Sequence, residues 1–306
     1  MIIIKDIVIL LVSIIVIGKG AVWLVDAAAR VAKHFGISEL VIGLTVVAFG
    51  TSAPEFGVTI LAAIRGMGDI SVGNIVGSNI FNLGFILGGT AIIHSLKTSR
   101  TVVFRDGIFL LFGGILLTIF LWDLTLSKIE GIVLFTLLIV YLLYLYVNKE
   151  TIETEEPTHA MYRWDPILLF VGIGLVIVGS HFLVESAVSI ARFMGVSDWV
   201  IGATIIAAGT SAPEFATSLT AAMKSRYGMS VGNLIGSDIF NLFGVLGVAG
   251  MMRNLSVGHD AHINLIILSF MIAVVLIFMR TGWVVSRKEG IILVMIGLLR
   301  WIYSFS

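Results

Sequence analysis

The sequence predicts an all-α polytopic membrane protein whose ten transmembrane helices form two inverted five-helix repeats. Three observations predict it. Apolar runs of about 20 residues, the length a helix needs to cross a bilayer, recur along the whole chain. Of the 306 residues only 12% are charged and 58% are hydrophobic, with a mean hydropathy of +1.08; soluble domains carry about 25% charged residues. The chain also repeats itself at a constant offset of 159 residues, from Gly50 to Gly209, with five spans in each copy. An odd number of spans makes the second copy enter the membrane from the opposite side, an architecture typical of transporters.

The first span, near 5–28, starts "MIIIKDIVILLVSIIVIGKG". It lacks the basic start and small-residue cleavage site of a signal peptide, and many spans follow, so it reads as the first helix. The second, near 39–64, carries "GTSAPEF" at 50–56, and the third, near 70–94, carries "SVGNIVGSNIFNL" at 71–83. The fourth and fifth, near 104–122 and 128–147, are plain apolar runs. Segment 149–163, "KETIETEEPTHAMYR", is expected to be a solvated linker between units 1–148 and 164–306. The second unit has spans near 166–190, 198–223, 229–251, 261–280 and 287–304. "GTSAPEF" returns letter for letter at 209–215, and "SVGNLIGSDIFNL" at 230–242 is identical to its partner at ten of thirteen positions. Weaker matches pair "FGISELVIGLT" (35–45) with "MGVSDWVIGAT" (194–204), and Asp26 with Glu185.

Lys and Arg set the orientation. With the N-terminus outside, the cytoplasmic loops hold twelve of them and the external side six. Both termini are therefore expected outside and the acidic linker inside, in the plasma (inner) membrane. Zero net charge gives no argument for nucleic acid, and the absence of cysteine removes disulfides and thiolate metal sites.

The chemistry sits in the repeated motifs. Pro54 has no N–H and its ring clashes with the Gly50 carbonyl, so a break is expected there. In lipid the freed carbonyls need partners, and a cation is one. Thr51 and Ser52 precede Glu55 by four and three residues and are expected on its helix face. These are hard oxygen donors of the kind Ca²⁺ takes, about 6–8 at a time, and Na⁺ accepts the same ligands. Asn74, Ser78 and Asn82 form a stripe on the next span, as do Asn233, Ser237 and Asn241 in the second copy, where Thr210, Ser211 and Glu214 surround Pro213. Gly73, Gly77 and Gly84 are expected to let helices approach closely.

Folded together, the copies place two glutamates, asparagines and hydroxyls near mid-membrane. Two carboxylates neutralise one Ca²⁺, and without an ion they repel each other. Such a cluster should be compensated at all times by Ca²⁺, Na⁺ or H⁺, which favours exchange of one load for another over passive flow. One glutamate beside a proline could be a structural kink. Two symmetric copies, each followed by an Asn/Ser stripe, argue for an ion pathway.

"GTSAPE" with "GNIVGSNIFN", repeated as "GTSAPE" with "GNLIGSDIFN", closely resembles the two alpha repeats of the calcium:cation antiporter superfamily, nearest its prokaryotic sodium/calcium exchanger branch. The resemblance covers nearly the whole chain. It implies a ten-helix fold with a central ion-binding core, past which the long first and sixth helices slide during alternating access. It implies that Glu55 and Glu214 are shared Ca²⁺ and Na⁺ ligands. Thr51, Ser52, Thr210 and Ser211 would give hydroxyl or carbonyl oxygens to flanking Na⁺ sites, Ala48 and Ala207 backbone carbonyls, and Ser78 and Ser237 the remaining Na⁺ ligands. Asn82 and Asn241 would sit at the centre. Some members carry Asp at the Asn241 position, including K⁺-dependent ones; two central asparagines argue against K⁺ dependence. Proton/calcium relatives usually place Glu where Gly77 and Gly236 stand here. The large cytosolic regulatory domain of animal relatives is not expected.

The implied function is Ca²⁺/Na⁺ antiport by a non-enzyme whose partners are the two ions and the bilayer, with no resident cofactor and no obligatory protein partner. Its rivals are a Ca²⁺/H⁺ antiporter and a passive cation channel. Asp238, which replaces Asn79 of the first copy, reads as a hydrogen-bonded packing residue or as an edge of the cluster. Asp26 and Glu185 read as gating contacts or as interfacial partners of Arg30 and Arg192. Lys19 reads as snorkelling or paired with Asp26, and His181, His259 and His262 as interfacial.

Overall fold

The computed structural model describes residues 2–148, 160–196, 201, 205 and 207–305. Most of the expected linker 149–163, and most of 197–206 in the seventh expected span, lie outside the described residues.

Helix α1 is Ile2–Phe35. Its 34 residues, at about 1.5 Å each, exceed the roughly 30 Å hydrocarbon core, so it tilts or projects. Helices α2 (Glu39–Thr51) and α3 (Ala53–Ile64) meet at a bend of 51°. Then come α4 (Gly68–Ile93), α5 (Val102–Asp123), α6 (Lys128–Val147) and α7 (Asp165–Phe193). The short α8 (Ala207–Thr210) leads to α9 (Ala212–Met223), followed by α10 (Tyr227–Met252), α11 (Asp260–Arg280) and α12 (Arg287–Phe305). Among the described residues, seven helices are long and apolar enough to cross a membrane: α1, α4, α5, α6, α7, α10 and α11; the α2–α3 pair makes an eighth if it is counted as one broken span. Helix α12 has 19 residues but opens with Arg287, Lys288 and Glu289 and holds Arg300.

Local chemistry sets these boundaries. Ser127 and Glu130 close a capping box at the start of α6, and Ser286 with Glu289 makes the same bonds before α12, 159 residues later. Pro54 and Pro213 lie in the first turns of α3 and α9, where no N–H is required. The break falls just before, at Ser52 and Ser211, whose ψ is 9° in both.

Four two-residue strands, which the sequence reading lacks, tie the loops. β1 (Leu96–Lys97) pairs antiparallel with β4 (Val284–Val285), and β2 (Thr125–Leu126) with β3 (Leu255–Ser256). The 159-residue offset exchanges the pairings: Leu96↔Val285 becomes Leu255↔Leu126. Strands this short carry no period-2 signal.

Helices α1 and α7 run antiparallel. Ser189 donates to Asp6 at one end, Gly20 meets Gly172 in the middle, and Arg30 pairs with Asp165 at 2.7 Å at the other end. Leu83, Leu87, Leu110, Leu234, Leu242 and Phe243 build the main apolar core, with Phe109 stacked between Tyr141 and Phe243 at 4.6 and 4.5 Å. Large apolar side chains such as Leu11, Ile15, Leu143, Phe270 and Ile277 point outward. The polar residues of the repeated motifs point inward, the distribution expected of a protein solvated by lipid.

Candidate cation site

The break at Ser52 decides what its neighbours touch. Thr51 and Ser52 lie at the end of α2, and Glu55 lies in the first turn of α3, across that break. The hydroxyls reach across to the other copy. Ser52 Oγ donates to Glu214 Oε1 at 3.1 Å, and Ser211 Oγ donates to Glu55 Oε1 at 3.1 Å. Each carboxylate thus accepts from a serine of the opposite copy, a cross-copy bond that spacing within one helix does not predict.

Thr51 Oγ1 also donates to Asn233 Oδ1 at 3.2 Å and lies 3.5 Å from Ser237 Oγ, which donates to Asn233 O at 2.7 Å. The Ala48 carbonyl accepts from Ser52 N–H at 3.0 Å and Thr51 Oγ1 at 3.3 Å. Ala207 opens α8, one turn before the Ser211 break. Ser78 is buried on α4, one turn past Asn74.

The stripe residues Asn74 and Asn233, which spacing singled out, act as braces. Asn74 Nδ2 donates to Thr59 Oγ1 at 3.0 Å and to the Glu55 carbonyl at 3.4 Å. Asn233 Nδ2 does the same to Ser218 Oγ at 2.9 Å and the Glu214 carbonyl at 3.4 Å. They pin α4 to α3 and α10 to α9 beside each glutamate.

Asn82 and Asn241 lie at the wide turns of α4 and α10. π-Helical segments span Asn82–Leu87 and Phe240–Val245; such turns recur at functional sites. The first packs against α9, which carries Glu214, and the second against α3, which carries Glu55. Asn82 Nδ2 donates to Asp238 Oδ1 at 2.9 Å, and Asn241 Nδ2 to Asn79 Oδ1 at 3.0 Å. Asp238 therefore touches a central residue directly.

Glu55, Glu214, Asn82, Asn241, Asp238, Ser52 and Ser211 are all fully buried. Among the described residues, one oxygen on each acidic or amide side chain has no hydrogen-bond partner: Glu55 Oε2, Glu214 Oε2, Asn82 Oδ1, Asn241 Oδ1 and Asp238 Oδ2. A buried acceptor without a partner is costly. Several of them, contributed by the motifs of both halves, make a set of oxygens suited to a hard cation.

Other polar residues lie away from it. Arg30 pairs with Asp165, and Asp26 pairs with Lys224 at 2.6 Å, so neither the Arg30–Asp26 nor the Lys19–Asp26 pairing forms. Glu185 sits 4.0 Å from His181 on the exposed side of α7. His262 Nε2 contacts the Leu121 carbonyl at 3.0 Å.

Residues 5–147 and 164–301 match the family model described as sodium/calcium exchanger protein. The chain is 32% identical to the sodium/calcium exchanger MaX1 of Methanosarcina acetivorans, over 94% of this chain and 95% of that one. It is 32% identical to the inner membrane protein YrbG of Escherichia coli, over 92% and 90% respectively. A solved structure of the sodium-calcium exchanger NCX_Mj, soaked without Na⁺ and Ca²⁺, superimposes with a TM-score of 0.87 at 32% identity, covering 99% of this chain and 100% of that one.

Proposed function

The chain belongs to the sodium/calcium exchanger protein family, and on that premise we propose that it is a secondary active antiporter exchanging Ca²⁺ for Na⁺ by alternating access. The observation that carries this reading is the set of unpartnered, fully buried oxygens of Glu55, Glu214, Asn82 and Asn241, two from each half. Glu55 and Glu214 would neutralise one Ca²⁺, and Asn82 and Asn241 would add neutral oxygens. Thr51, Ser52, Thr210, Ser211, Ser78 and Ser237, with the carbonyls of Ala48 and Ala207, would complete flanking Na⁺ sites. Ca²⁺ and Na⁺ are then cargo, and the chain needs no cofactor and performs no covalent chemistry.

The architecture we infer has ten helices in two inverted repeats, 1–148 and 164–306, joined by a cytoplasmic linker 149–163. The offset-exchanged strand pairs and the antiparallel α1 and α7 support it. So does the reciprocity of Ser52–Glu214 and Ser211–Glu55. Both termini would face outward from the plasma (inner) membrane. Helices α1 and α7 would slide past the core and expose the site to each side in turn. An empty pair of facing carboxylates is unfavourable, which couples departure of one load to arrival of the next.

The test is ⁴⁵Ca²⁺ uptake into Na⁺-loaded proteoliposomes. Uptake should follow the outward Na⁺ gradient and persist when the pH gradient is collapsed. Uptake that ignores Na⁺ and requires a pH gradient would identify a Ca²⁺/H⁺ antiporter. Flux without any counter-ion would identify a channel.

A further inference from the structure

A carboxamide has two ends of nearly equal size and opposite character. Its oxygen attracts a cation and its NH₂ repels one. Asn82 and Asn241 serve a cation only while their oxygens face the site, so something must fix which end points where. Nothing in the sequence motif states what does so.

Four fully buried residues decide it: Asn79, Asn82, Asp238 and Asn241. The main-chain carbonyl of Asp238 can only accept. Asn79 Nδ2 donates to it at 3.1 Å, which turns Asn79 Oδ1 toward the second copy's central amide. Asn241 must then offer its Nδ2, at 3.0 Å, and its Oδ1 remains without a partner. The second branch begins at the Asp238 side chain. Its Oδ1 takes the Asn82 Nδ2 at 2.9 Å, and Asn82 Oδ1 likewise remains without a partner. Both branches start at one residue, and both end on a buried amide oxygen that is free to bind. Hydrogen-bond logic thus fixes both amide orientations from the carbonyl and carboxylate of Asp238.

We propose that Asp238 and Asn79 are positioning residues that lock the central amides of Asn82 and Asn241 with their oxygens toward the transported cation. This rests on the exchange reading above and adds to it the residues that set ligand polarity. The positions are equivalent under the repeat, and each serves the central asparagine of the other half. Asn79 shows what an asparagine does there: it accepts through its oxygen once its nitrogen is tied to a carbonyl across the interface.

That equivalence supplies the test. Leucine copies the branched shape of Asp and Asn without an acceptor, whereas asparagine keeps the acceptor without the charge. Na⁺-dependent ⁴⁵Ca²⁺ uptake is measured as KM and Vmax for Asp238→Leu, Asp238→Asn and the unmodified protein, each normalised to protein in the vesicles. The expected result is a KM raised about tenfold or more in Asp238→Leu, the range typical of lost outer-shell support at a metal site, with most of that affinity restored in Asp238→Asn. An unchanged KM in the leucine variant would make Asp238 a packing residue and overturn the proposal. Equal losses in both variants would make its charge, not its orientation of Asn82, the operative property, and would also overturn it. If Asp238→Leu fails to accumulate, Asn79→Leu against Asn79→Asp reads the Asn241 branch by the same criteria. Absence of Na⁺-dependent uptake in the unmodified protein would instead remove the exchange reading, so the two failures are distinct.

Discussion

Lys224 Nζ lies 2.6 Å from Asp26 Oδ1, tying α1 to the end of α9, the helix that carries Glu214. The equivalent positions 159 residues away, Glu185 and Arg65, form no such pair among the described residues. Glu185 is 68% exposed with His181 as its neighbour, and Arg65 is exposed at the end of α3. A latch closed at one end and open at its mirror position is what alternating access asks of an inverted repeat. About a third of each Asp26 and Lys224 side chain is exposed, so the pair is worth about 1 kcal/mol at most, or about fivefold in a population. Lys224→Gln should therefore shift the balance of states without abolishing either. The chain has no cysteine, so spin labels at Phe35→Cys and Met223→Cys report the α1–α9 separation without background. The longer-distance population should grow in Lys224→Gln, and grow in the unmodified protein at high salt. Identical distance distributions would assign the pair no part in the transition.

Glu55→Gln and Glu214→Gln should each abolish Ca²⁺ transport. Gln keeps an oxygen to accept from Ser211 or Ser52, as the carboxylate does at 3.1 Å, so the fold should survive. What disappears is half the charge that the proposed site would present to a divalent ion. Ca²⁺-dependent protection against thermal unfolding should fall away in both variants while their metal-free Tm stays within a few degrees of the parent. A variant that retains transport would remove the carboxylate from the ligand set.

The sequence disclosed the all-helical, membrane-spanning character and the duplication because each has a long or repeated signal. Glu55 and Glu214 stand out against apolar flanks, and the 159-residue offset is visible without any geometry. Cross-copy pairing was not visible. Ser52 lies three residues before Glu55, and spacing within one helix says nothing of a bond to Glu214 in the other copy. The wide turns at Asn82 and Phe240 have no composition of their own, since a π segment differs from an α-helix by one hydrogen-bond shift. Asp238 read either as a packing residue or as an edge of the cluster, because a single substitution between copies does not say what it meets.

The turns after α3 and α9 give a stability prediction. Gly66 ends the first with φ +77°, and its counterpart Ser225 adopts φ 58°. Their N–H groups close the same helix-ending bonds, to Ala63 at 3.0 Å and Ala222 at 2.9 Å. A residue with a Cβ in this left-handed conformation costs roughly 1–2 kcal/mol, part of which glycine gives back in chain entropy. Ser225→Gly should raise Tm in detergent by about a degree or two, while Ca²⁺ affinity stays unchanged. A lower Tm would mean that the serine side chain contributes more than the strain removes.

The contact between α1 and α7 gives the last. In lipid, apolar helices gain little from burying apolar surface against one another, so association depends on how closely they approach. Gly172 permits that approach. A Cβ there would stand 2.8 Å from Leu24 N, 2.9 Å from Gly20 O and 3.0 Å from Leu24 Cα, all main-chain atoms that cannot rotate aside. A Cβ on Gly20 would meet Leu175 Cβ at 2.8 Å. Gly172→Ala must therefore push the helices apart along their whole crossing, which lies between the Asp6–Ser189 bond and the Arg30–Asp165 pair. Overpacking of this kind costs about 1–3 kcal/mol. Gly18→Ala, on the same α1 but with nothing within 4 Å of the added Cβ, should be neutral or slightly stabilising through helix propensity. Thermal unfolding of the two variants in one detergent separates a close-contact effect from a general effect of alanine in α1 and α7. Turnover should fall in Gly172→Ala with Ca²⁺ KM nearly constant if the added methyl obstructs the proposed sliding of α1 and α7 and leaves the proposed ligands of α3 and α9 in place. If Gly172→Ala and Gly18→Ala behave alike, close contact at Gly172 does not govern the packing of these two helices.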